Sequence, residues 1–296
     1  FMKIYDCTTF YSEHMMMDVR FNVLDKNVHK FVVVESLFSH SGKKKKLNFN
    51  INNYPKFKNK IIYLVIEKEA DGLINDKNEI KKQSTKRLNS LMRINQSYDY
   101  MLKGIKNASE DDLIILSDND EIPNLESSEF KKSNKDLLIF KQLFFYYKFN
   151  LLYDLMPWFG SKACKKKKLK SFPWLRNIKN KKYPFWRLDT HFSDLKNINL
   201  DIINDGGWHF TSIKSPTDLF AKLKNFGHHD EFDLSGLTLE NISQKIKDKV
   251  VFYDHFIDQS NQNKWSYNYK LKKIDYKLLP NYLIENKDNY KEWFDL

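Results

Sequence analysis

The segment 113-LIILSDNDEIP-123 runs four apolar residues into three acidic ones and stops at a proline. A short apolar run of this kind reads as a strand buried on both faces. Asp118 and Asp120 then sit just past the strand end. In extended chain, residues i and i+2 share a face, so both carboxylates are expected to reach one ion while Asn119 points away. Two hard oxygen ligands suit Mg2+ or Mn2+, with phosphates and water completing the shell. The alternative is a turn in which aspartate caps its own backbone. Twenty-five aspartates would scatter about two Asp-x-Asp pairs by chance, the risk any short motif carries. Only this pair occurs, and its place after an apolar run singles it out.

The neighbouring segments supply a sheet for that strand. Residues 2-MKIYDCTTF-10 read as a first strand, and 13-EHMMMDVRFNVLDKNV-28 carries Met16, Val19, Val23 and Leu24 at helical spacing. Met15, Met16 and Met17 are read as core. Continuous β-branched runs follow at 29-HKFVVVES-36 and 59-NKIIYLVIEK-68. A helix is predicted over 90–108, ending near Gly104. Strand, helix, strand, strand, helix, strand argues for an α/β sheet with parallel pairs. Residues 136–150 add a long aromatic strand or pair, and 201–213 add another, broken by Gly206 and Gly207. Residues 215–227 read as a helix with Pro216 in its first turn. Beyond about 236 the pattern is polar and helical. The expected organisation is one domain over 1–235 with a C-terminal extension over 236–296 packed on it.

The 296 residues carry a net charge of +12, with 23 Phe and 16 Tyr supplying a large core. No apolar run approaches the ~20 residues of a membrane span, no leader is visible, and two cysteines are too few for a disulfide framework. The expected location is the cytoplasm or the inner face of a membrane. Two basic tracts, 42–47 and 161–182, are read as solvated loops, with an anion-binding or membrane-contacting surface as the alternative. Nucleic-acid binding is the competing class. It is disfavoured because the lysines cluster in tracts while the aromatics lie in apolar strands.

Several blocks, taken in order, resemble glycosyltransferase family 17. They are 3-KIYDCTTFYSE-13 with Arg20, 30-KFVVVES-36 with 41-SGKKKKL-47, and 104-GIKNASEDDLIILSDNDEIP-123. Then come 145-FYYKFN-150 with 158-WFG-160, 206-GGWHF-210 and 224-KNFGHHDEFD-233. The likeness spans about residues 3–235. It implies a GT-A-type, Rossmann-like mixed sheet flanked by helices, with a metal-binding Asp-x-Asp. It also implies inverting transfer of GlcNAc from UDP-GlcNAc to a glycan hydroxyl. Another donor such as UDP-Gal is the alternative, and the acceptor is expected to be a glycan, lipid-linked or not. The chain departs from the family in one helix: Arg93 and Gln96 stand about one turn earlier than the Gln-Arg pair of its relatives.

On that resemblance Asp118 and Asp120 hold Mn2+ or Mg2+, with His228 completing the shell or serving as a hydrogen-bonded structural or substrate-contacting histidine. Thr8, Glu35, Lys45, Arg93 and Asn119 are assigned to the donor, Glu35 alternatively to a helix cap. Acceptor deprotonation needs a carboxylate or histidine within hydrogen-bond reach, and Glu231, then Asp205, are the expected bases. Glu121 is expected to be structural. Trp158, Trp208 and His209 are assigned to the sugar or acceptor, with core packing the alternative for the two tryptophans.

Overall fold

The structure is a computed structural model that describes residues 2–75, 82–190, 192–225, 229–256, 265 and 267–296. Strands β1 (Ile4–Phe10), β2 (Lys30–Ser36), β3 (Ile61–Ile66) and β4 (Leu113–Leu116) form the parallel heart of the sheet, in spatial order β4-β1-β2-β3. Helix α1 (His14–Leu24) links β1 to β2, and α2 (Lys82–Gly104) precedes β4. The chain builds outward from β1 in one direction through β2 and β3, then returns to place β4 on the other side. This reversal makes the carboxyl ends of β1 and β4 the switch point, where open α/β sheets bind ligands.

The apolar runs alternate between two cores, one on each face. Phe31 and Val33 of β2 pack with Leu113 and Ile115 of β4 on the α1 side. Val32 and Val34 pack with Ile114 and Leu116 against Tyr98 and Met101 of α2. Each fully buried aliphatic side chain contributes roughly 1.5–3 kcal/mol, so neither face of these strands can turn to water.

The sheet continues through strands of mixed direction. β5 (Glu121–Pro123) is followed by α3 (Ser128–Lys132), β6 (Leu137–Tyr146), β7 (Leu151–Leu152) and β8 (Trp158–Lys165). β8 lies antiparallel between β4 and β6. Helix α4 (Phe172–Asn177) leads to β9 (Leu200–Ile203), parallel to β6, and β10 (Gly207–Thr211). β10 runs antiparallel to β5 and parallel to β6. Gly207 adopts φ +110°, and a Cβ there would stand 2.2 Å from the Ile122 carbonyl oxygen, so glycine is needed for β10 to approach β5.

After α5 (Pro216–Leu223), α6 (His229–Ser235) and α7 (Leu239–Asp248), the C-terminal part is less helical than its composition predicts. It holds β11 (Val250–Val251) paired with β12 (Tyr269–Lys270), then β13 (Lys272–Lys273), which joins the main sheet at β7. α8 (Asn281–Glu285) packs beside α1, and Tyr290 donates a hydrogen bond to Asp18 at 2.5 Å. Among the described residues no helix is long and apolar enough to cross a membrane.

The second basic tract departs from the loop reading. Ser161, Lys162, Ala163 and Cys164 are buried in β8, and Phe172 and Leu175 of α4 are fully buried, so neither is available to a membrane. Lys165, Lys167, Lys170 and Lys182 pair with Asp136, Asp111, Asp194 and Asp201 at 3.0, 2.6, 2.5 and 2.8 Å.

One buried ion pair ties the central elements together. Arg20 of α1 is 0 % exposed and Asp6 of β1 is 1 % exposed. The guanidinium donates Nε–H to Asp6 at 2.7 Å and a second N–H to its other oxygen at 2.5 Å. Removing one partner of such a pair strands a buried charge at a cost of about 3–5 kcal/mol, whereas apolar replacement of both is close to neutral. Arg20→Leu is therefore expected to lower the unfolding free energy by that amount in urea titrations. Asp6→Leu/Arg20→Met should recover most of it, and equal losses for the single and double variants would refute the assignment.

Candidate functional site

The acidic turn is built by its own ends. Ser117 extends the β4 ladder by donating its N–H to the Cys7 carbonyl at 3.1 Å. The Asp118 N–H donates to the Glu121 carboxylate at 2.9 Å, and the Glu121 N–H donates to the Asp118 carbonyl at 3.1 Å. The other Glu121 oxygen accepts the Trp158 indole N–H at 2.7 Å. Arg20 donates to the main-chain carbonyls of Asp118 and Glu121, at 3.3 and 2.5 Å. Glu121 thus fastens the turn, and burial followed by the Asp118 charge pushes its carboxyl above the ordinary value.

Residues 118–120 form a turn and not extended chain, so the two carboxylates are not simply aligned on one face. Asp118 is held by Arg176 of α4 through two parallel bonds of 2.8 and 3.0 Å. Asp120 lies 3.6 Å from the Lys222 ammonium of α5 and 3.6 Å from Nε2 of His209 on β10. Asn119 points the other way, donating to Glu13 at 2.9 Å.

Glu13 is the carboxylate that sequence reasoning missed. It accepts N–H bonds from Tyr11 and Ser12 at 3.1 and 2.9 Å, at the mouth of the β1–α1 connection. Lys214 and Lys222 stand 3.7 and 3.8 Å from its other oxygen. Only its place inside the block 3–13, next to the strand end, hinted at this. A cavity of about 150 Å³ opens here, lined by Ser12, Glu13, Asp120, Ser212, Lys214 and Lys222 among others.

Opposing effects set the charges. Burial pushes Asp120 up, but Lys222 and then His209 override it and hold the carboxyl well below the usual range. Glu13 behaves likewise under Lys222 and Lys214. Burial lowers Lys222, but Asp120 and Glu13 more than restore it, and its pKa is raised. Asp118 is also held low: burial raises it, and the Arg176 guanidinium outweighs that. Arg176 and Asp118 are 45 % and 44 % exposed, so their pair is worth only about 0.2–1 kcal/mol.

His209 is buried between the rings of Phe144 and Trp158, with centroids at 4.7 and 4.5 Å. Its Nδ1 has no hydrogen-bond partner among the described residues. His255 bonds the Tyr146 hydroxyl and packs on the same rings; burial, then His209, depress it to about 3, so it is neutral.

The remaining sequence candidates divide by position. Glu35 ends β2, and its carboxylate accepts the N–H groups of Asn48 and Phe49 at 2.8 and 2.9 Å, the Tyr63 hydroxyl at 2.8 Å and the Lys45 ammonium. Both Glu35 and Lys45 are thereby engaged in holding the loop after β2. Arg93 bonds Glu69 at 2.8 Å and the His40 carbonyl at 3.1 Å, and reaches that same loop beneath Gly42. Thr8 is buried in β1. The structure brings Trp158 and His209 to the acidic turn but not Trp208, which is buried and donates its indole N–H to the Leu278 carbonyl at 2.7 Å. Asp205 is exposed and accepts from Asn124 at 3.0 Å. It lies in the bend that precedes β10, beside Asn124 beyond the end of β5, whereas the residue that donates its N–H to the Asp120 carbonyl is Phe210 within β10. Glu231 sits on α6, which meets the start of α2 through Lys86 and Asp233 at 3.6 Å. His228 lies outside the described residues.

Among the described residues no three His, Cys, Asp or Glu side chains are grouped to cage a metal. Asp118 and Asp120 offer two hard oxygen donors at a half-open turn. This donor set fits a divalent cation that takes its other ligands from a diphosphate and water, the usual habit of Mg2+.

The cation network has a pH signature. Asp120 and Glu13 are depressed in the fold, so they contribute stability above the ordinary carboxylate range, and that stability is lost as pH falls through their folded values. Lys222→Met is expected to lower the melting temperature at pH 7 and to flatten its fall between about pH 5 and 3. Parallel melting curves for the two proteins across that range would rule out this network.

The chain matches the model of glycosyltransferase family 17 over residues 1–294. No curated protein matches it. Among solved structures it is similar to the inositol-1-phosphate CTP transferase from T. maritima, at 14 % identity over 75 % of this chain and 96 % of that one, with a TM-score of 0.34. That likeness is too low to carry an argument, and the fold rests on the strand order. The family match covers nearly the whole chain, including the acidic turn and the elements that hold it, and on that ground the chain belongs to glycosyltransferase family 17.

Proposed function

We propose that the chain is a metal-dependent, inverting transferase that moves GlcNAc from UDP-GlcNAc onto a hydroxyl of a glycan acceptor. The observation that carries this reading is the Asp118–Asp120 turn at the switch point between β1 and β4, within a chain of this family. Mg2+ or Mn2+ bound by these carboxylates would supply a Lewis acid for the leaving diphosphate. The protein's own part is positioning and charge. Arg20 and Glu121 fix the turn, so that Asp118 and Asp120 are presented without rearrangement. Lys214 and Lys222 place positive charge beside the cavity, where a diphosphate gains most from it.

The acceptor proton is assigned to Glu231 in preference to Asp205, because α6 meets the start of α2, which follows the carboxyl end of β3, whereas Asp205 lies in the bend before β10, beyond the far end of β5. Trp158, bonded to Glu121 and packed at a tilt on His209, is the ring assigned to the sugar face.

Asp118→Asn and Asp120→Asn are each expected to reduce UDP release by about 100-fold or more, with the melting temperature little changed for Asp118. Wild-type turnover by either variant in the presence of EDTA would remove the metal role. UDP-GlcNAc with MnCl2 should raise the melting temperature, since a ligand bound only by the native state stabilises it. Protection by UDP-Gal alone would change the donor and keep the transferase.

A further inference from the structure

We propose that Arg176 is a resident counter-ion on Asp118 which a divalent cation must displace, and which then pairs with the diphosphate that accompanies that cation. The inference rests on the metal-binding reading of Asp118 and Asp120.

The geometry sets up a competition. Arg176 engages both Asp118 oxygens at 2.8 and 3.0 Å, in the fork-to-fork arrangement that uses a carboxylate most completely. A divalent cation on Asp118 needs at least one of those oxygens, and two cations on one carboxylate repel. Arg176 and a bare metal ion therefore exclude each other.

The backbone beneath Arg176 is fixed. Phe172 and Leu175 anchor α4 in the core, and the Ser171 hydroxyl accepts the Trp174 N–H at 3.1 Å at its start. Lys162, buried in β8, donates its ammonium to the carbonyls of Arg176 and Ile178, each at 2.7 Å. Displacement is therefore a rotation of the exposed guanidinium, with α4 staying in place.

The same anchoring decides where the freed group can go. Arg176 remains within a side chain's reach of Asp118, which is where a metal-bound diphosphate would sit. Its planar fork matches phosphate oxygens as well as carboxylate oxygens. A diphosphate thus removes the repulsion that bare metal meets. Metal and nucleotide should bind with positive coupling, and Arg176 should be the source of that coupling.

Calorimetric titration of the full chain tests this, first with MnCl2 alone and then with UDP at saturating MnCl2. Arg176→Ala and Arg176→Gln should bind Mn2+ alone about ten-fold tighter than wild type and bind UDP about ten-fold weaker, a crossed pattern that loss of packing would not produce. Arg176→Lys, which cannot form the fork, should lie between. Equal Mn2+ affinity in wild type and both variants would overturn the inference and leave the metal reading intact. If Asp118→Asn binds Mn2+ as well as wild type, the metal reading falls and this inference falls with it.

Discussion

Asp6 and Arg20 form the constraint on which the rest of the site depends. Neither charge meets water, so each is tolerable only in the other's presence. The pair fixes α1 against β1, and the remaining guanidinium donor reaches across to the carbonyls of Asp118 and Glu121. The acidic turn after β4 is therefore shaped by a residue nearly a hundred positions earlier in the chain. Glu121 adds the second fastening, bonding the turn's own first N–H and the Trp158 indole. With both in place, Asn119 is turned to Glu13, while the carboxylates of Asp118 and Asp120 stay near enough for each charge to act on the other.

Each of those side chains meets a different element, and the contacts grade from rigid to soft. Asn119 is bound to Glu13, itself buried and held by two backbone N–H groups. Asp120 faces Lys222, a lysine shared with Glu13, so neither carboxylate can be neutralised without affecting the other. Asp118 faces Arg176 across a half-exposed gap whose opening leaves no buried charge behind. The inner part of the site is thus preformed, while its outer edge can change partners.

The heart of the fold was legible because it is local. The runs 29–36, 59–68 and 113–116 are apolar without alternation, which only strands covered on both faces tolerate, and the helices between them carry their own spacing. Strand β8 was not legible. Its lysines mimic a solvated loop, yet Ser161, Ala163 and Cys164 are small enough to lie between β4 and β6, and the charged head of Lys162 escapes the core by meeting two carbonyls. At the site, Asp118 and Asp120 could be named from their strand. Glu13, Arg176 and Lys222 could not, because each meets the acidic turn only through a contact made from another element, and nothing in its own neighbours marks it. Trp208 misled for the opposite reason: its Gly-Gly approach is real, but it serves β10 against β5.

The basic excess takes on a different meaning once the lysines are placed. In the tract from Lys162 onward, Lys165, Lys166, Lys167, Lys170 and Lys182 each stand within 4 Å of a carboxylate, most of them contributed by other segments. Such exposed pairs add little stability singly, but they cancel the field that a run of free lysines would project. Lys162 works differently. Burial, reinforced by Arg176, lowers its pKa to about 8, so its charge is retained at a cost near neutral pH and bears on the main chain of α4. That cost is borne under Arg176, whose guanidinium holds the Asp118 carboxylate. Much of the positive charge of this tract is therefore met by carboxylates of other segments or by backbone carbonyls, and Arg176 sets its guanidinium on Asp118 at the carboxyl end of β4.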